Sequence, residues 1–390
     1  MSGHIIKLSE ISSKFEGVSA KVSVNLRHID FAQTGGLVQN KKPVVGDVLL
    51  AKVMSIGDHQ VMQSDNGRNI ELYEGDKILL PYGNRYAVQQ YEAFVPDDMQ
   101  ECHLASKGGL ASLIVPENST LQNPTVIKPI GILTDKDGKA MNMKDFSMNP
   151  QNINSKKRPV TIIIFGTGMD AGKTTCAAQM VRGITRAGHK VGFGKITGTG
   201  AFSDIYKPQD TGAIAVADFV DMGYPSTYKI GTQETLSILQ GLTAYLSLRG
   251  ADVNIIEVAD GVFQSDNQAL LKSEDFRSKI DGVFVAADSG LSAISAVREL
   301  HNHDIEVLAV GGLMTNTPLT TNEFTKHIGN AAPEFGVLDL ADLEKAGTAK
   351  KILESIHDKY PDRPFITSPE PEQNIEENIE ENIEHTLVAE

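Results

Sequence analysis

Residues 161–180 read TIIIFGTGMDAGKTTCAAQM. An apolar, β-branched run enters a glycine-rich turn, then Gly172-Lys173-Thr174-Thr175, then an alanine-rich stretch compatible with a helix. A phosphate anion demands this order, because the N–H groups of the turn and of the helix N-terminus converge on negative charge. Gly168 and Gly172 let the backbone approach without a Cβ, Lys173 reaches the β- and γ-phosphates, and the Thr174 hydroxyl ligates magnesium. Gly166, Thr167, Gly168, Met169, Asp170, Ala171, Gly172, Lys173, Thr174 and Thr175 are therefore expected to hold the phosphates of ATP with Mg2+. The usual G-x-x-x-x-G-K spacing would place glycine at 167, where this chain has Thr167 between Gly166 and Gly168.

Working outward, the segments after residue 158 alternate in type. Val160–Phe165, Val191–Lys195, Val253–Val258, Gly282–Ala287 and Ile305–Met314 read as short buried strands. Between them lie helix patterns: the stretch running to Ala187, Thr232–Leu248 with Leu236, Leu239, Leu242 and Leu246 at 3–4 spacing, 266–273 and 290–302. Such alternation predicts an α/β P-loop NTPase domain, a mostly parallel sheet with helices on both faces. Asp210–Met222 is expected to be helical, with Asp210 as its N-cap.

Before the linker the pattern is different. From about 44 to 135 short apolar runs are punctuated by turn signals, and Asp65-Asn66-Gly67 marks a hairpin. A small β-rich domain, barrel or sandwich, is expected over 1–137, with a further strand at Ala20–Leu26. Polar, Asn-rich 138–158 reads as a linker, 159–368 as the P-loop domain, and 369–390 as an acidic tail. The tail repeats NIEE and reads as disordered, a frayed helix being the alternative.

Bulk composition narrows the function. At 390 residues, 41% hydrophobic and 22% charged, the chain has material for two cores. Its net charge of −14 speaks against nucleic acid or an anionic membrane as partner, although the eight glutamates of 369–390 supply more than half of it. Cys102 and Cys176 fall in different domains, so no disulfide framework is expected. The start MSGHIIKLSE lacks a secretory pattern and no apolar run spans a bilayer, so a cytoplasmic location is expected.

Other residues suggest chemistry. Lys195 ends the second strand, followed by Ile196-Thr197-Gly198-Thr199-Gly200. The third strand ends Glu257-Val258-Ala259-Asp260, and a carboxylate there faces the crevice where open α/β sheets bind ligands. Magnesium takes one or two carboxylates besides phosphate oxygens. Asp218 and Asp221 are expected on a solvated face. His301-Asn302-His303, at a helix end with no Cys partner, reads as exposed, and Cys176 as a packing residue.

The stretch Gly166-Thr167-Gly168-Met169-Asp170-Ala171-Gly172-Lys173-Thr174 resembles the loop of dethiobiotin synthetase, a SIMIBI-class P-loop NTPase. The resemblance spans roughly 160–330 and rests on short motifs. It implies a kinase-like or ligase-like enzyme that passes the γ-phosphoryl group of ATP to a small-molecule acceptor. By the same resemblance Lys195 is a second phosphate-directed cation, Thr197 and Thr199 line the acceptor site, Asp210 joins the magnesium site and Asn316 reads the base. Glu257 matches the strand-end glutamate, yet Val258 and Asp260 replace glycines there, leaving Glu257 and Asp260 both open as the metal ligand. Asp260 is otherwise expected to position water or substrate. The alternative is a nucleotide-dependent switch or assembly ATPase acting on a protein partner, and a homodimer fits either reading.

Overall fold

The computed structural model describes residues 5–7, 19–64, 66–88, 90–115, 123–148, 158–363 and 365. The acidic tail and residues 149–157 of the expected linker lie outside the described residues.

The first part is β-rich. Its strands are β1 Ile5–Lys7, β2 Ser19–Val22, β3 Thr34–Val38, β4 Val48–Ser55, β5 Val61–Gln63, β6 Asn69–Glu71, β7 Lys77–Pro81, β8 Arg85–Ala87, β9 Tyr91–Phe94, β10 Cys102–Leu104, β11 Ala111–Ile114 and β12 Val126–Asp135. Ten of them join in one sheet ordered β1-β2-β7-β4-β12-β10-β11-β9-β8, with β3 on β12. The separate β5–β6 pair is the expected hairpin, closed by Gly67 at φ +77°, a conformation glycine adopts without strain. Ala20–Leu26 is a strand only as far as Val22 and then a tight turn over Val24–Leu26.

The second part is an α/β P-loop domain. Strands β13 Val160–Gly166, β14 Val191–Lys195, β15 Ala215–Asp218, β16 Val253–Glu257, β17 Gly282–Ala286 and β18 Val307–Gly311 form one sheet ordered β15-β14-β16-β13-β17-β18, parallel throughout. Parallel strands covered on both faces read as continuous apolar runs, and β13 is buried at every position. Alternate residues feed opposite layers. Ile163 and Phe165 pack with α3 (Thr232–Leu248) and α6 (Gly290–Asn302), whereas Ile162 and Ile164 pack with α1 (Lys173–Arg186) and α9 (Ala346–Lys359). The remaining helices are α2 Ser203–Asp210, α4 Ser265–Leu271, α5 Glu274–Lys279, α7 Pro318–His327 and α8 Leu340–Leu343.

Three expectations need correction. Asp210 closes helix α2 instead of opening one. Gly212, at φ +111°, turns the chain back so that Ala215–Asp218 adds an edge strand to β14. Residues 138–148 are not a free linker: Met141 and Met143, two apart, are both buried, and Asn142 donates to the Val45 carbonyl and to Asp47. Asp218 and Asp221 are buried, not solvated, because both accept from Arg27 of the β-rich part at 2.6 Å. Around that contact Leu26, Ile29, Leu50 and Met141 share one apolar cluster with Phe219, Val220 and Met222.

Candidate functional site

The carboxyl ends of β13, β14 and β16 meet at a cavity of about 670 Å³. Lys173, Thr174, Lys195, Thr197, Glu257 and Asp260 line it, and Arg85, Tyr86 and Ala87 of β8 form its opposite wall. A larger hollow of about 840 Å³, lined by Thr161, Asn254 and Arg158, opens at the other end of the strands, remote from the glycine turn.

Two glycines of the turn sit where a side chain would be crowded or strained. A Cβ on Gly166 would lie 2.7 Å from the Lys173 side chain, and Gly172 holds φ +94° just before α1 begins. Thr167 at the irregular position has a partner: its hydroxyl donates to Asp288 Oδ1 at 3.1 Å, beyond the end of β17. Gly168 has open space where a Cβ would stand. Met169 and Ala171 continue the turn, Asp170 is exposed at φ +64°, and Thr174 and Thr175 are half-buried in the first turn of α1. Lys173 is 8% exposed, and its ammonium donates to the carbonyls of Gly168 at 2.6 Å and Asp260 at 3.1 Å. Burial lowers its pKa, opposed by the charges of Glu257 and Asp260.

Lys195, expected as a second phosphate-directed cation, lines the cavity and is paired there with carboxylates. Its ammonium lies 3.0 Å from Glu257 Oε1 and also donates to Asp204 in α2. Burial works against its charge, but the two carboxylates prevail and its pKa is raised. Glu257 is 1% exposed, and its Oε2 has no hydrogen-bond partner. A buried, orphaned carboxylate oxygen is costly unless something else satisfies it. Asp260 adopts φ +62°, and burial raises its pKa against the pull of Lys173 and Lys195.

The remaining expected residues divide. Thr197 is buried on the cavity wall, where its hydroxyl accepts from the Ala259 N–H at 2.7 Å, and Thr199 is bridged to Ser226. Asp210 lies outside the cavity at the exposed end of α2, and Asp204, in the first turn of that helix, is the α2 carboxylate at the site. Asn316 is exposed in a short turn after β18, while Leu313 of that turn borders the cavity. Cys176 is fully buried beneath the turn and pushed up to about 12 by burial, a packing residue. His303 pairs with Glu299 at 3.3 Å, and no cluster of metal-ligating side chains occurs among the described residues.

Sequence reasoning missed Arg85, Tyr86, Asp204, Lys207 and Tyr228. Lys207 ties α2 to the phosphate turn through Thr175 Oγ1 at 3.2 Å. Asp204 and Lys207, three apart, carried a usable signal once helix α2 was correctly bounded. Arg85 and Tyr86 come from a distant β-hairpin and carried none.

No known family profile and no curated protein matches the chain. Among solved structures, a signal recognition particle 54 kDa protein from Aeropyrum pernix K1 in complex with GDP is 18% identical at a TM-score of 0.35, over 54% of this chain and 52% of its own. The signal recognition particle receptor FtsY from Elizabethkingia anophelis, in complex with GDP, is 16% identical at 0.34, over 55% and 67%. Cell division protein FtsY from Thermotoga maritima is 16% identical at 0.29, over 42% and 56%. The chain spans about half the length of the first of these. Likeness of this degree assigns neither ligand nor partner to the present protein. The first two are signal recognition proteins, not a kinase or ligase, and the kinase-like or ligase-like enzyme expected above is corrected on that finding. Neither dethiobiotin synthetase nor ATP finds support there, the named nucleotide being GDP.

Proposed function

We propose that this protein is a magnesium-dependent, SIMIBI-class nucleoside triphosphatase that works as a switch, its nucleotide state governing the β-rich domain and a protein partner. The observation that carries this reading is the shared cavity, with the glycine turn on one side and β8 of the β-rich domain on the other. A nucleotide there touches both domains, so losing its terminal phosphate changes what each domain contacts. Lys195, held by Glu257 and Asp204, favours a sensing arrangement over an acceptor site.

Magnesium fits the donor set, through the Thr174 hydroxyl and the orphaned Glu257 Oε2. When bound it would neutralise charge on the phosphate oxygens. The chain's own groups would orient the rest: loop amides and Lys173 hold the phosphates, and Asp260, whose burial keeps its carboxyl raised, positions water. Adenine is the base implied by the sequence resemblance, with Asn316 as its reader, and guanine is the competing base. A protein partner is favoured by exposed Val88, Phe263, Leu291, Leu313 and Leu319, all at the phosphate end of the parallel sheet. A second copy of this chain is the partner that needs no other component.

Hydrogen exchange tests the switch, comparing the protein bound to a non-hydrolysable triphosphate and to the diphosphate, each with ATP- and GTP-type bases. Different protection of α2 and of the β8–β9 hairpin supports it. Identical protection throughout overturns it, and light scattering under the same conditions reads the homodimer.

A further inference from the structure

Arg85, at the start of β8, is a part-buried cation with an unusual set of partners. Nη1 donates to the Tyr91 hydroxyl at 2.5 Å and to the Ala105 carbonyl, and Nη2 donates to the Gln90 side-chain carbonyl at 2.8 Å. His59 Nε2 stands 3.5 Å from Nη1. All of these are neutral, including His59, which burial and the Arg85 charge push down to about 4. Other part-buried arginines among the described residues are matched by carboxylates: Arg27 by Asp218 and Asp221, Arg158 by Asp281. Among the described residues no carboxylate lies in ion-pair contact with Arg85. Burial lowers its pKa, the reverse of Arg27.

A largely buried guanidinium whose hydrogen-bond partners are all neutral is unfavourable unless an anion completes it. The wall it stands on faces the phosphate turn. Tyr86, the next residue, lines a cleft with Thr167, Gly168 and Met169, so β8 runs alongside that turn. Asp260 acts electrostatically on both Arg85 and Lys173, and its carbonyl accepts from the Lys173 ammonium. Arg85 and Lys173 thus line the same cavity, and Lys173 is the group that holds the far end of a phosphate chain.

We propose that Arg85 of the β-rich domain binds the terminal phosphate of the nucleotide, so that this domain distinguishes triphosphate from diphosphate. The inference rests on the nucleotide reading above. A planar guanidinium offering two donors to phosphate oxygens gives charge-assisted, geometrically selective contacts. Only the triphosphate extends far enough to receive them.

The test is calorimetric titration of the full chain and of Arg85→Gln with magnesium and a non-hydrolysable triphosphate or the diphosphate. Arg85→Gln is expected to weaken the triphosphate by at least about tenfold and the diphosphate by less than about threefold. Arg85→Lys keeps the charge without the fork and should lie between, which also covers poor folding of the glutamine variant. A purely structural Arg85 would weaken both ligands equally. An unchanged ratio of triphosphate to diphosphate affinity in a variant that still binds overturns this inference alone. Absence of binding by the unmodified protein overturns the nucleotide reading and this inference with it.

Discussion

Lys195 and Glu257 close two hydrogen-bonded parallel strands, Nζ 3.0 Å from Oε1, and the other oxygen of Glu257 is left buried without a partner. The register that pairs Lys195 with Glu257 also pairs Ile164 with Glu257, so this carboxylate lies one strand from the phosphate turn.

That geometry predicts the effect of Glu257→Gln. The amide keeps the shape and removes the charge that would hold the ion, while Lys195 retains Asp204. Triphosphate affinity, measured with and without magnesium, should respond to the ion by about tenfold in the unmodified protein and by under about threefold in the variant. Asp260→Asn should keep the response. The opposite pattern would assign the metal to Asp260.

Arg27 joins the two domains through Asp218 and Asp221, both at 2.6 Å. Arg27→Ala strands the buried Asp218, Asp221 keeping His28 at 2.6 Å, and removing one partner of such a buried pair costs about 3–5 kcal/mol. The urea midpoint should fall accordingly, and Arg27→Lys should rescue only part, because one ammonium cannot reproduce the fork. A loss below about 1 kcal/mol would contradict the contact's role.

His59 predicts an acid sensitivity. Folded, burial and then Arg85 hold it neutral and push it down to about 4 from 6.5. Between those values the unfolded chain carries the extra proton, so stability falls as pH drops from 6.5 towards about 4. The loss is up to about 3 kcal/mol. Carboxylates also titrate there, so the reading is a difference: His59→Gln should lose less stability than the unmodified protein between pH 7 and 4.5 on urea unfolding. Parallel losses would contradict it.

Five of the six parallel strands were legible because each is a short apolar run with a turn after it, and 290–302 matches α6 residue for residue. Where local signals conflict, the reading failed. Asp210 looked like a helix cap, but Gly212 and the alternating Ala215–Asp218 send the chain to the sheet edge. Asp218 and Asp221 looked solvated because their partner, Arg27, is almost two hundred residues away. The glycine turn and Glu257 were visible in sequence since the ligand they suit dictates local backbone. Arg85 was not, because its place depends on how two domains pack, which no spacing along the chain encodes.

The central claim, nucleotide binding at the glycine turn through Lys173, is tested most directly by calorimetric titration of the unmodified protein and Lys173→Ala with magnesium-ATP and magnesium-GTP. Lys173 lies beneath the turn, its ammonium on the carbonyls of Gly168 and Asp260, positioned to turn towards phosphate. One of the two nucleotides should bind the unmodified protein, and Lys173→Ala, still folded, should bind it at least about a hundredfold more weakly. Equal binding by the two proteins, or no binding of either nucleotide by the unmodified chain, would contradict it.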